Sequence, residues 1–447
     1  MAFCEHRGRA ATNSADGAAD TDDRLPRQRT GPLAGVTVTD FCWMGVGSLA
    51  TRLLADFGAR VIRIENRNRL DMPRRLPIYK NAGLVSYGEE SASPDPNLAG
   101  CFNNYNRNKL AITLNMSVPE GRALAERLIR ISSVLTENFA PGVMEGWGLT
   151  ESHVHELQPE IIYARMSGFG HDGPYSRYRG YGPVVQAFCG LSHISGLPGR
   201  EPSGWGLSYM DNMAAYYNSI GILMALFARN RTGRGTDVDV AAVEVGIELL
   251  GPTLLDVTVN KRSTRRPDFP PGNRLAHPLA APHGVYPSKG SDQWVAIAVF
   301  TDEEWSNLAR ALGEPEWTRR PVFATLASRV EHADELDAML SSWTRNHTKY
   351  EAMEILQRAG MRAGAVQDAE DVNERDPQMA ARGIFFEMDH PVIGAARFEG
   401  VPIRASDFEP DNWRSGPLLG EDNAFVYGQL LGLSADQITD LAQRGVI

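Results

Sequence analysis

The sequence contains little cysteine, and the distribution of that cysteine argues against a common class of metal site. The four cysteines, Cys4, Cys42, Cys101 and Cys189, are far apart and form no C-x-x-C pair. Scattered cysteines of this kind argue against a cysteine-bound metal and are typical of proteins in a reducing compartment. The ten histidines form no convincing ligand cluster either. We therefore predict a cytoplasmic protein without a metal site.

The sequence also predicts no membrane anchor and no secretory signal, and its net charge is negative. The longest apolar stretch, around residues 219–227, is well short of the roughly 20 residues that span a membrane. Residues 1–31 are rich in Ala, Asp, Arg, Thr and Gly without an apolar signal segment, so we expect a disordered tail. The net charge of −10 disfavours nucleic acid as a partner. We predict a soluble protein that binds neither membranes nor nucleic acids.

The charge balance inverts in one short stretch of this acidic chain. Residues 59–80 carry seven basic side chains against two acidic ones, a local net charge of +5. The run indicates a site for a small polyanion, with a solvated basic face as the alternative. Its basic members are Arg60, Arg63, Arg67, Arg69, Arg74, Arg75 and Lys80.

Alternating strands and helices in the first half of the chain predict a doubly wound α/β fold. An alternating strand at 36–40 is followed by a glycine turn, a helix and a second strand at 61–65. This pattern is typical of a βαβ unit with parallel strands, and a second unit follows between residues 118 and 166. Ligands of such sheets bind beyond the carboxyl ends of the strands.

The length of 447 residues and a change of pattern near residue 229 predict two domains. We assign residues 32–228 to the large α/β domain and residues 229–393 to a smaller α+β domain with its connecting segments. Residues 394–447 have no core of their own. We expect them to pack back on the large domain and complete it.

A glycine motif in the first βαβ unit suggests a dinucleotide site. Gly45-x-Gly47-x-x-Ala50 follows a strand and opens a helix, and Glu65 lies about twenty residues further on. This spacing matches the dinucleotide-binding fingerprint with its ribose-binding acid. An NAD- or FAD-dependent oxidoreductase is therefore one alternative, although short glycine turns also occur for steric reasons alone.

An acidic residue, Asp211, lies at the start of the most apolar helix that the sequence predicts. Apolar residues cover nearly all sides of the segment from Tyr209 to about residue 227, which predicts a buried helix. At the helix N-terminus the carboxylate would find free N–H groups and a favourable dipole, which keep it ionised. An ionised, partly desolvated carboxylate facing a cavity is a usable nucleophile. The alternative is a simple capping box formed by Ser208 and Asp211.

Several motifs, taken in order, resemble the family III CoA-transferases, the group of formyl-CoA transferase and carnitine CoA-transferase that also includes the 2-methylacyl-CoA racemases. The resemblance covers about residue 32 to the C-terminus. Its motifs are Leu53–Glu65 (LLADFGARVIRIE), Asn106–Lys109 (NRNK), Glu137–Gly142 (ENFAPG), Ser167–Pro174 (SGFGHDGP), Arg231–Gly235 (RTGRG), and Leu430–Ser434 with Gly445–Ile447.

The resemblance implies a fold and a mechanism. The fold is a Rossmann-like large domain built from both chain ends plus a small domain, with two ring-like protomers interlocked as a dimer. In the mechanism, an aspartate at the position of Asp211 attacks an acyl-CoA thioester and gives a mixed anhydride and CoA thiolate. The thiolate then forms an aspartyl-CoA thioester, and a carboxylic acid acceptor takes over the CoA. The CoA thioester is a substrate, and no further cofactor is implied.

The resemblance also implies individual contacts. Asn138 and Phe139 match the positions that hold the adenine nucleotide, and Arg74 matches an arginine that meets the CoA phosphates. Lys109 is a further candidate for CoA binding. We expect the substrate pocket to include Gly45, Tyr181 and Tyr209.

Three departures from the family pattern bear on the reaction. Gly146 stands where many relatives carry an arginine, and residues 272–278 lack the glycine-rich loop of formyl-CoA transferase. Gly180–Gly182 lacks the histidine and neighbouring acid of the racemases, and an α-proton racemase needs two proton-exchanging groups. We therefore favour a transferase over an epimerase of branched acyl-CoAs. A non-catalytic partner subunit remains a third alternative, because some family members work as unlike pairs; we expect a homodimer or a heteromer with a paralogue.

Overall fold

A computed structural model describes residues 30–76, 78, 95–195, 200–264, 272–275, 277–408 and 413–447. Nearly all of the predicted N-terminal tail, residues 1–29, lies outside the described residues, and so does Lys80 of the basic run.

The first part of the chain forms a six-stranded sheet in which all strands are parallel. The strands are β1 (Thr37–Asp40), β2 (Arg60–Glu65), β3 (Leu110–Thr113), β4 (Val134–Glu137), β5 (Ile162–Ser167) and β6 (Thr236–Ala241). Their spatial order is β3-β2-β1-β4-β5-β6. The order reverses direction beside β1, so the loops after β1 and β4 meet at the carboxyl edge of the sheet, where ligands of doubly wound folds bind. The predicted α/β fold is confirmed.

Helices connect these strands and cover both faces of the sheet. Pro119 occupies the first turn of one of them, where its missing N–H leaves no bond unmade, and Leu124 and Leu128 of that helix pack into the core. The helices are α1 (Val46–Asp56), α2 (Gly100–Tyr105), α3 (Pro119–Arg130), α4 (Val143–Gly146), α5 (Glu151–Leu157), α6 (Gly182–Phe188), α7 (Leu191–Ile194), α8 (Tyr209–Thr232), α9 (Ala242–Leu249) and α10 (Gly251–Asn260).

The C-terminal segment returns to this sheet, as the sequence predicts. Val426 and Val446 are buried in the same apolar cluster as Ile112. The Tyr427 hydroxyl donates to the carbonyl of Thr113 over 2.8 Å, so the last residues of the chain fasten the edge strand β3. The large domain is therefore built from both chain ends.

A second, smaller sheet has a core of its own. It is antiparallel, in the order β7-β8-β9, and its helices bury Leu308, Leu336 and Leu356 completely. Its strands and helices are β7 (His283–Pro287), β8 (Trp294–Ala298), α11 (Asp302–Ala311), α12 (Leu326–Glu331), α13 (Ala333–Thr344), α14 (Lys349–Arg358) and β9 (Arg362–Ala365). The elements that follow are α15 (Pro377–Arg382), the hairpin strands β10 (Phe385–His390) and β11 (Gly394–Glu399), and α16 (Ala435–Gln443).

Two strand pairings cross the predicted domain boundaries, which stay predictions. Strand β6 lies beyond residue 228 yet pairs in parallel with β5 from Ile162↔Thr236 to Ser167↔Ala241, so the large sheet extends to residue 241. It is an edge strand with mostly exposed residues, which is why its sequence does not have the apolar pattern of the inner strands. The boundary at 393/394 falls in the turn of the β10–β11 hairpin, whose strands pair with each other.

Helix α8 differs from its prediction in one respect. One side packs on α1, β5, β6 and α9, but the opposite side is exposed within this chain. The exposed stripe consists of Tyr216, Ile220, Leu223, Met224 and Phe227. A helix buried on all sides was therefore the wrong expectation for the single chain. Within the described ranges, no helix combines the length and apolar character that crossing a bilayer requires.

Candidate active site

Asp211 lies in the first turn of α8, in a half-buried position. Burial raises the pKa of its carboxyl group above the ordinary value of 3.8, and a hydrogen bond with the Ser208 side chain acts in the opposite direction. The side chain of Ser208 does not cap the helix, so the predicted capping box is not formed. The carboxylate is thus held by one local bond and remains partly accessible.

Two glycines flank this carboxylate. A Cβ atom on Gly182, in the first turn of α6, would lie 3.0 Å from Asp211 Oδ2, which is closer than side chains normally approach. A Cβ atom on Gly45, at the start of α1, would lie 4.0 Å from the same oxygen. The sequence-predicted residues Gly45 and Asp211 therefore come together, and the absence of side chains leaves the carboxylate open to a third molecule.

Tyr105 is a neighbour of this site that the sequence analysis missed. Its Cε2 atom would lie 3.5 Å from a Cβ on Gly45, so the ring borders the space beside Asp211. Burial, with smaller contributions from Cys101 and Asp211, raises the pKa of Tyr105, which keeps the phenol protonated and able to donate a hydrogen bond. Its position immediately before the NRNK motif is the only signal that the sequence offers.

Asn138 follows β4 and fastens the turn that follows β1. Its amide oxygen accepts from the Trp43 N–H over 2.8 Å, and its amide nitrogen donates to the Trp43 carbonyl over 2.8 Å. The Asn138 amide is largely occupied by these two bonds. It therefore sets the path of the backbone that leads to Gly45.

Phe139 contributes a half-buried ring beside this turn. Its backbone N–H donates to Glu137 Oε2 over 2.6 Å. The ring meets those of Trp43 and Trp147 edge-on, with centroids 6.0 and 5.6 Å away. Aromatic faces at the carboxyl end of a parallel sheet suit a flat heterocycle such as adenine.

The turn at residues 43–47 lies between the predicted nucleophile, Asp211, and the predicted nucleotide contacts. A Cβ on Gly47 would lie 3.1 Å from Asn138 Cγ and 2.5 Å from Cys42 Cβ, so only glycine fits there. Gly45 in the same turn adjoins Asp211. The predicted nucleophile and the predicted nucleotide contacts therefore lie at the same edge of the sheet, on either side of one turn.

Arg74 does not reach this surface, although it belongs to the basic run. The side chain is fully buried, and its five N–H donors serve both oxygens of Glu65, the carbonyls of Pro96 and Pro417, and Asn97. Its guanidinium also stacks on the Phe102 ring at 3.5 Å. No donor is left for a phosphate, so the geometry gives Arg74 a structural role and argues against the predicted CoA contact.

Lys109 is buried in the same way. Its ammonium group contacts Asp40, the Ser48 carbonyl, Thr51 and Asn106 at 2.6–3.2 Å. Burial lowers the pKa of Lys109 to about 8, although Asp40 acts in the opposite direction. These contacts join β1, α1 and the NRNK motif and leave no face for a ligand. The geometry again argues against the predicted contact with CoA.

Other cations of the basic run are exposed beside the site. Arg67 and Arg69 lie in the loop after β2, and the Arg69 guanidinium lies over the Trp43 ring at 5.8 Å. An exposed guanidinium is suited to phosphate by charge and geometry. The basic run could be recognised in the sequence, but which of its arginines pair internally cannot be read from the run itself.

The dinucleotide alternative depends on Glu65, and the structure disfavours it. Glu65 is 1% exposed, and Arg74 binds both of its oxygens over 2.7 Å. A ribose hydroxyl cannot reach this carboxylate. The glycine turn serves close packing instead, as the contacts of Gly47 show.

The remaining predicted pocket residues lie near Asp211 in the chain fold. Tyr181, 59% exposed, directly precedes Gly182. Tyr209 is the first residue of α8, and its ring centroid is 4.5 Å from that of Trp205. Their roles in substrate binding stay predictions. In the part of the chain that the structure describes, no three His, Cys, Asp or Glu side chains cluster as a metal site would require.

Comparisons with known proteins give matches over most of the chain. The model of CoA-transferase family III matches residues 33–423. Succinyl-CoA–D-citramalate CoA-transferase of Chloroflexus aurantiacus is 33% identical over 96% of this chain and 100% of its own length. The β subunit of succinyl-CoA–L-malate CoA-transferase from the same organism is 31% identical over 93% and 98%. A solved structure of a CAIB/BAIF family protein from Brucella suis is 30% identical, with a TM-score of 0.77 and coverage of 90% and 99%.

Proposed function

Since this chain belongs to CoA-transferase family III and is an enzyme of that class, we propose that it moves CoA from an acyl-CoA to a carboxylic acid through a thioester on Asp211. The observation that carries this proposal is a half-buried carboxylate flanked by two glycines at the carboxyl edge of the sheet. A nucleophile that must admit a thioester carbon needs open space on at least one side, and the glycines supply it.

The first half of the reaction breaks the thioester of the donor. An oxygen of Asp211 attacks the thioester carbon, the C–S bond breaks, and CoA leaves as the thiolate while an acyl-aspartyl anhydride forms. The thiolate then attacks the aspartyl carbonyl, the anhydride C–O bond breaks, and the donor acid leaves as a carboxylate. The enzyme now holds CoA as an aspartyl thioester. The acceptor carboxylate repeats the steps in reverse order and regenerates Asp211.

The surroundings of Asp211 suit this chemistry. Burial raises its pKa, so the ionised form is less well solvated than a carboxylate in water and is correspondingly more reactive. The Tyr105 phenol borders the same space and can donate a hydrogen bond to an oxygen that gains charge. A protected site also limits hydrolysis of the anhydride, which would waste the thioester.

We assign the CoA nucleotide to the turn formed by Asn138 and Phe139. The rings of Phe139 and Trp43 offer apolar faces for adenine, and Arg69 lies directly over Trp43. Arg67 and Arg69 replace Arg74 and Lys109 as the cations proposed to meet the phosphates. This arrangement gives the polyanion exposed charges instead of buried ion pairs.

The names of the relatives indicate which substrates to test first. Two of them act on succinyl-CoA, with D-citramalate or L-malate as the acceptor. We propose a short acyl-CoA as donor and a small carboxylic acid as acceptor. We also propose that the reaction needs no further cofactor and that the enzyme acts in the cytoplasm.

The exposed stripe of α8 supports a dimer. Helix α10 adds further exposed apolar side chains, among them Leu255 at 62% and Val259 at 71%. Exposed apolar surface of this kind on a single chain is typical of an interface. We propose that a second copy covers it, with a paralogous chain as the alternative because one relative is named as a subunit.

Epimerisation of an acyl-CoA is not favoured by any contact at the site. The groups identified beside Asp211 are two glycines and a phenol whose pKa is raised, and none of these is a base at neutral pH. Uptake of solvent deuterium at the α-carbon of a branched acyl-CoA would reveal this activity. We expect none.

The decisive experiment compares two aspartate variants in a transfer assay with succinyl-CoA and a panel of acids. Asp211→Ala is expected to abolish transfer. Asp237→Ala, on the exposed part of β6, is the matched control and should transfer at the wild-type rate. Transfer by Asp211→Ala at the rate of the control would overturn the proposal.

A further inference from the structure

His171 bridges β4 and β6 at the edge of the sheet that carries the proposed CoA site. It lies in the loop after β5, and its side chain is 8% exposed. Its Nε2 atom is 3.1 Å from Glu137 Oε1 at the end of β4, and its Nδ1 atom is 2.9 Å from Asp239 Oδ1 on β6. Its backbone N–H also donates to Asp239 Oδ2 over 3.0 Å. The imidazole therefore joins two strands that are not neighbours.

This bridge continues into the turn that follows β4. The second oxygen of Glu137, Oε2, accepts from the backbone N–H of Phe139 over 2.6 Å. Glu137 is 2% exposed, so its charge is stabilised only by protein groups. A single chain of contacts thus runs from His171 through Glu137 to Phe139, next to the Asn138 amide that fastens Trp43.

The bridge needs a protonated imidazole, because only then do both ring nitrogens donate a hydrogen. Burial lowers the pKa of His171, but the bonds to Asp239 and Glu137 outweigh it and raise the pKa to about 9. The other charged or titratable groups at these carboxylates are Arg165 and Tyr163, both on β5. Arg165 is itself paired with Glu151 of α5.

We propose that His171 is a positioning residue for CoA: it holds Glu137 so that the Asn138–Phe139 turn keeps the geometry that binds the nucleotide. The proposal rests on the CoA site assigned above. Nothing in this bridge touches Asp211, so the effect falls on CoA binding and leaves the chemistry unchanged. Without the imidazolium, Glu137 becomes a buried carboxylate without its closest cation, and the acceptor of the Phe139 N–H is no longer fixed.

The first test is structural and does not need a substrate. In the full-length His171→Ala protein we expect faster amide hydrogen exchange at Phe139 than in the wild type. The matched control is His155→Ala, because His155 pairs with Asp237 of the same strand over 3.2 Å but its partly exposed side chain extends from α5. That control should leave exchange at Phe139 unchanged.

The second test separates binding from chemistry. A charge-assisted bond to a buried group contributes about 1.5–3 kcal/mol to stability, and the part of it that the CoA-bound turn requires is lost from affinity, about tenfold for each 1.4 kcal/mol. We expect His171→Ala to raise KM for the acyl-CoA about tenfold or more, with kcat within about threefold of the wild type. Phe139→Ala should raise the same KM.

The pH dependence gives a third measurement. The wild-type KM for acyl-CoA should stay constant below about pH 8 and rise as the pH passes through about 9, where His171 loses its proton. In His171→Gln, whose amide donates at every pH, this rise should disappear, whereas His155→Ala should keep it.

The outcomes distinguish a wrong role for His171 from a wrong CoA assignment of the Asn138–Phe139 turn. Unchanged amide exchange at Phe139 in His171→Ala would overturn the role proposed for His171. That role is also overturned if exchange at Phe139 becomes faster in His171→Ala but KM for acyl-CoA does not change, while Phe139→Ala raises this KM. If neither variant changes KM, the CoA assignment of the turn is wrong, and the role proposed for His171 falls with it. Faster exchange and a raised KM in His171→Ala alone, not in His155→Ala, would support both.

Discussion

Replacing Gly182 with alanine tests the position of the Asp211 carboxylate, because the new methyl group would meet that carboxylate directly. The Cβ atom would lie 3.0 Å from Asp211 Oδ2 and 3.0 Å from Ser208 Cβ, whereas ordinary contact begins near 3.4 Å. The carboxylate must therefore move by about 0.4 Å. A misplacement of roughly 1 Å at a reacting group costs about a hundredfold in rate. We expect Gly182→Ala to lose roughly tenfold in kcat/KM for CoA transfer.

The chain offers a matched control for this variant. Gly251 precedes Pro252 in the first turn of α10, just as Gly182 precedes Pro183 in the first turn of α6. A Cβ on Gly251 meets nothing within 4 Å, so Gly251→Ala shares the backbone cost of a residue before proline but not the contact with a carboxylate. Initial rates with a saturating acceptor and varied acyl-CoA, measured alongside the thermal midpoints, compare the two. Equal rates in both variants would refute the position assigned to Asp211.

Four further predictions follow from individual side chains. Because burial raises the pKa of Asp211, this carboxyl favours folding when protonated and loses that contribution as the pH rises above the ordinary pKa of 3.8. Asp211→Asn should therefore raise the thermal midpoint at pH 7 and change it little at pH 3. An unchanged or lower midpoint at pH 7 would contradict this expectation. Arg74→Ala removes the hydrogen-bonded partner of buried Glu65 and leaves only Arg63, 3.9 Å away, as a nearby cation. It should lower the free energy of unfolding by about 3 kcal/mol in urea titrations, where a loss below about 1 kcal/mol would be contrary evidence. Arg69→Ala should raise KM for acyl-CoA about threefold or more at low salt with an unchanged thermal midpoint, and equal KM values would remove Arg69 from the site. Met224→Asp, on the exposed stripe of α8, should reduce the mass measured by light scattering to that of one chain, whereas a dimer of unchanged stability would exclude this surface as the interface.

Part of the candidate site could be located from local patterns, and the family resemblance supplied the proposed roles. Asp211 is marked by the contrast between one acid and a long apolar segment, and Asn138 matches a family position that lies at the end of an apolar strand. Both signals lie within a few residues of the side chain concerned. The parallel order of the strands then brings their carboxyl ends to one edge without further information.

The geometry departs from the sequence-based expectations where a partner is distant in sequence. Arg74 and Lys109 look like free cations in the sequence, but Glu65 and Asp40 occupy them in the fold. Strand β6 looked like the start of a new domain because an edge strand needs little apolar sequence. Tyr105 has no pattern of its own, and its proximity to Asp211 depends on how α2 packs beside α1.

The central claim is that Asp211 carries CoA covalently during transfer, and peptide mass spectrometry tests it most directly. The enzyme is incubated with succinyl-CoA, quenched in acid and digested, and a parallel sample is treated with hydroxylamine. We predict that the peptide containing Asp211 gains the mass of CoA less one water, that hydroxylamine converts this adduct to a hydroxamate, and that Asp211→Asn forms neither. Efficient transfer with no adduct on any residue, or with the adduct on a residue other than Asp211, would contradict the account.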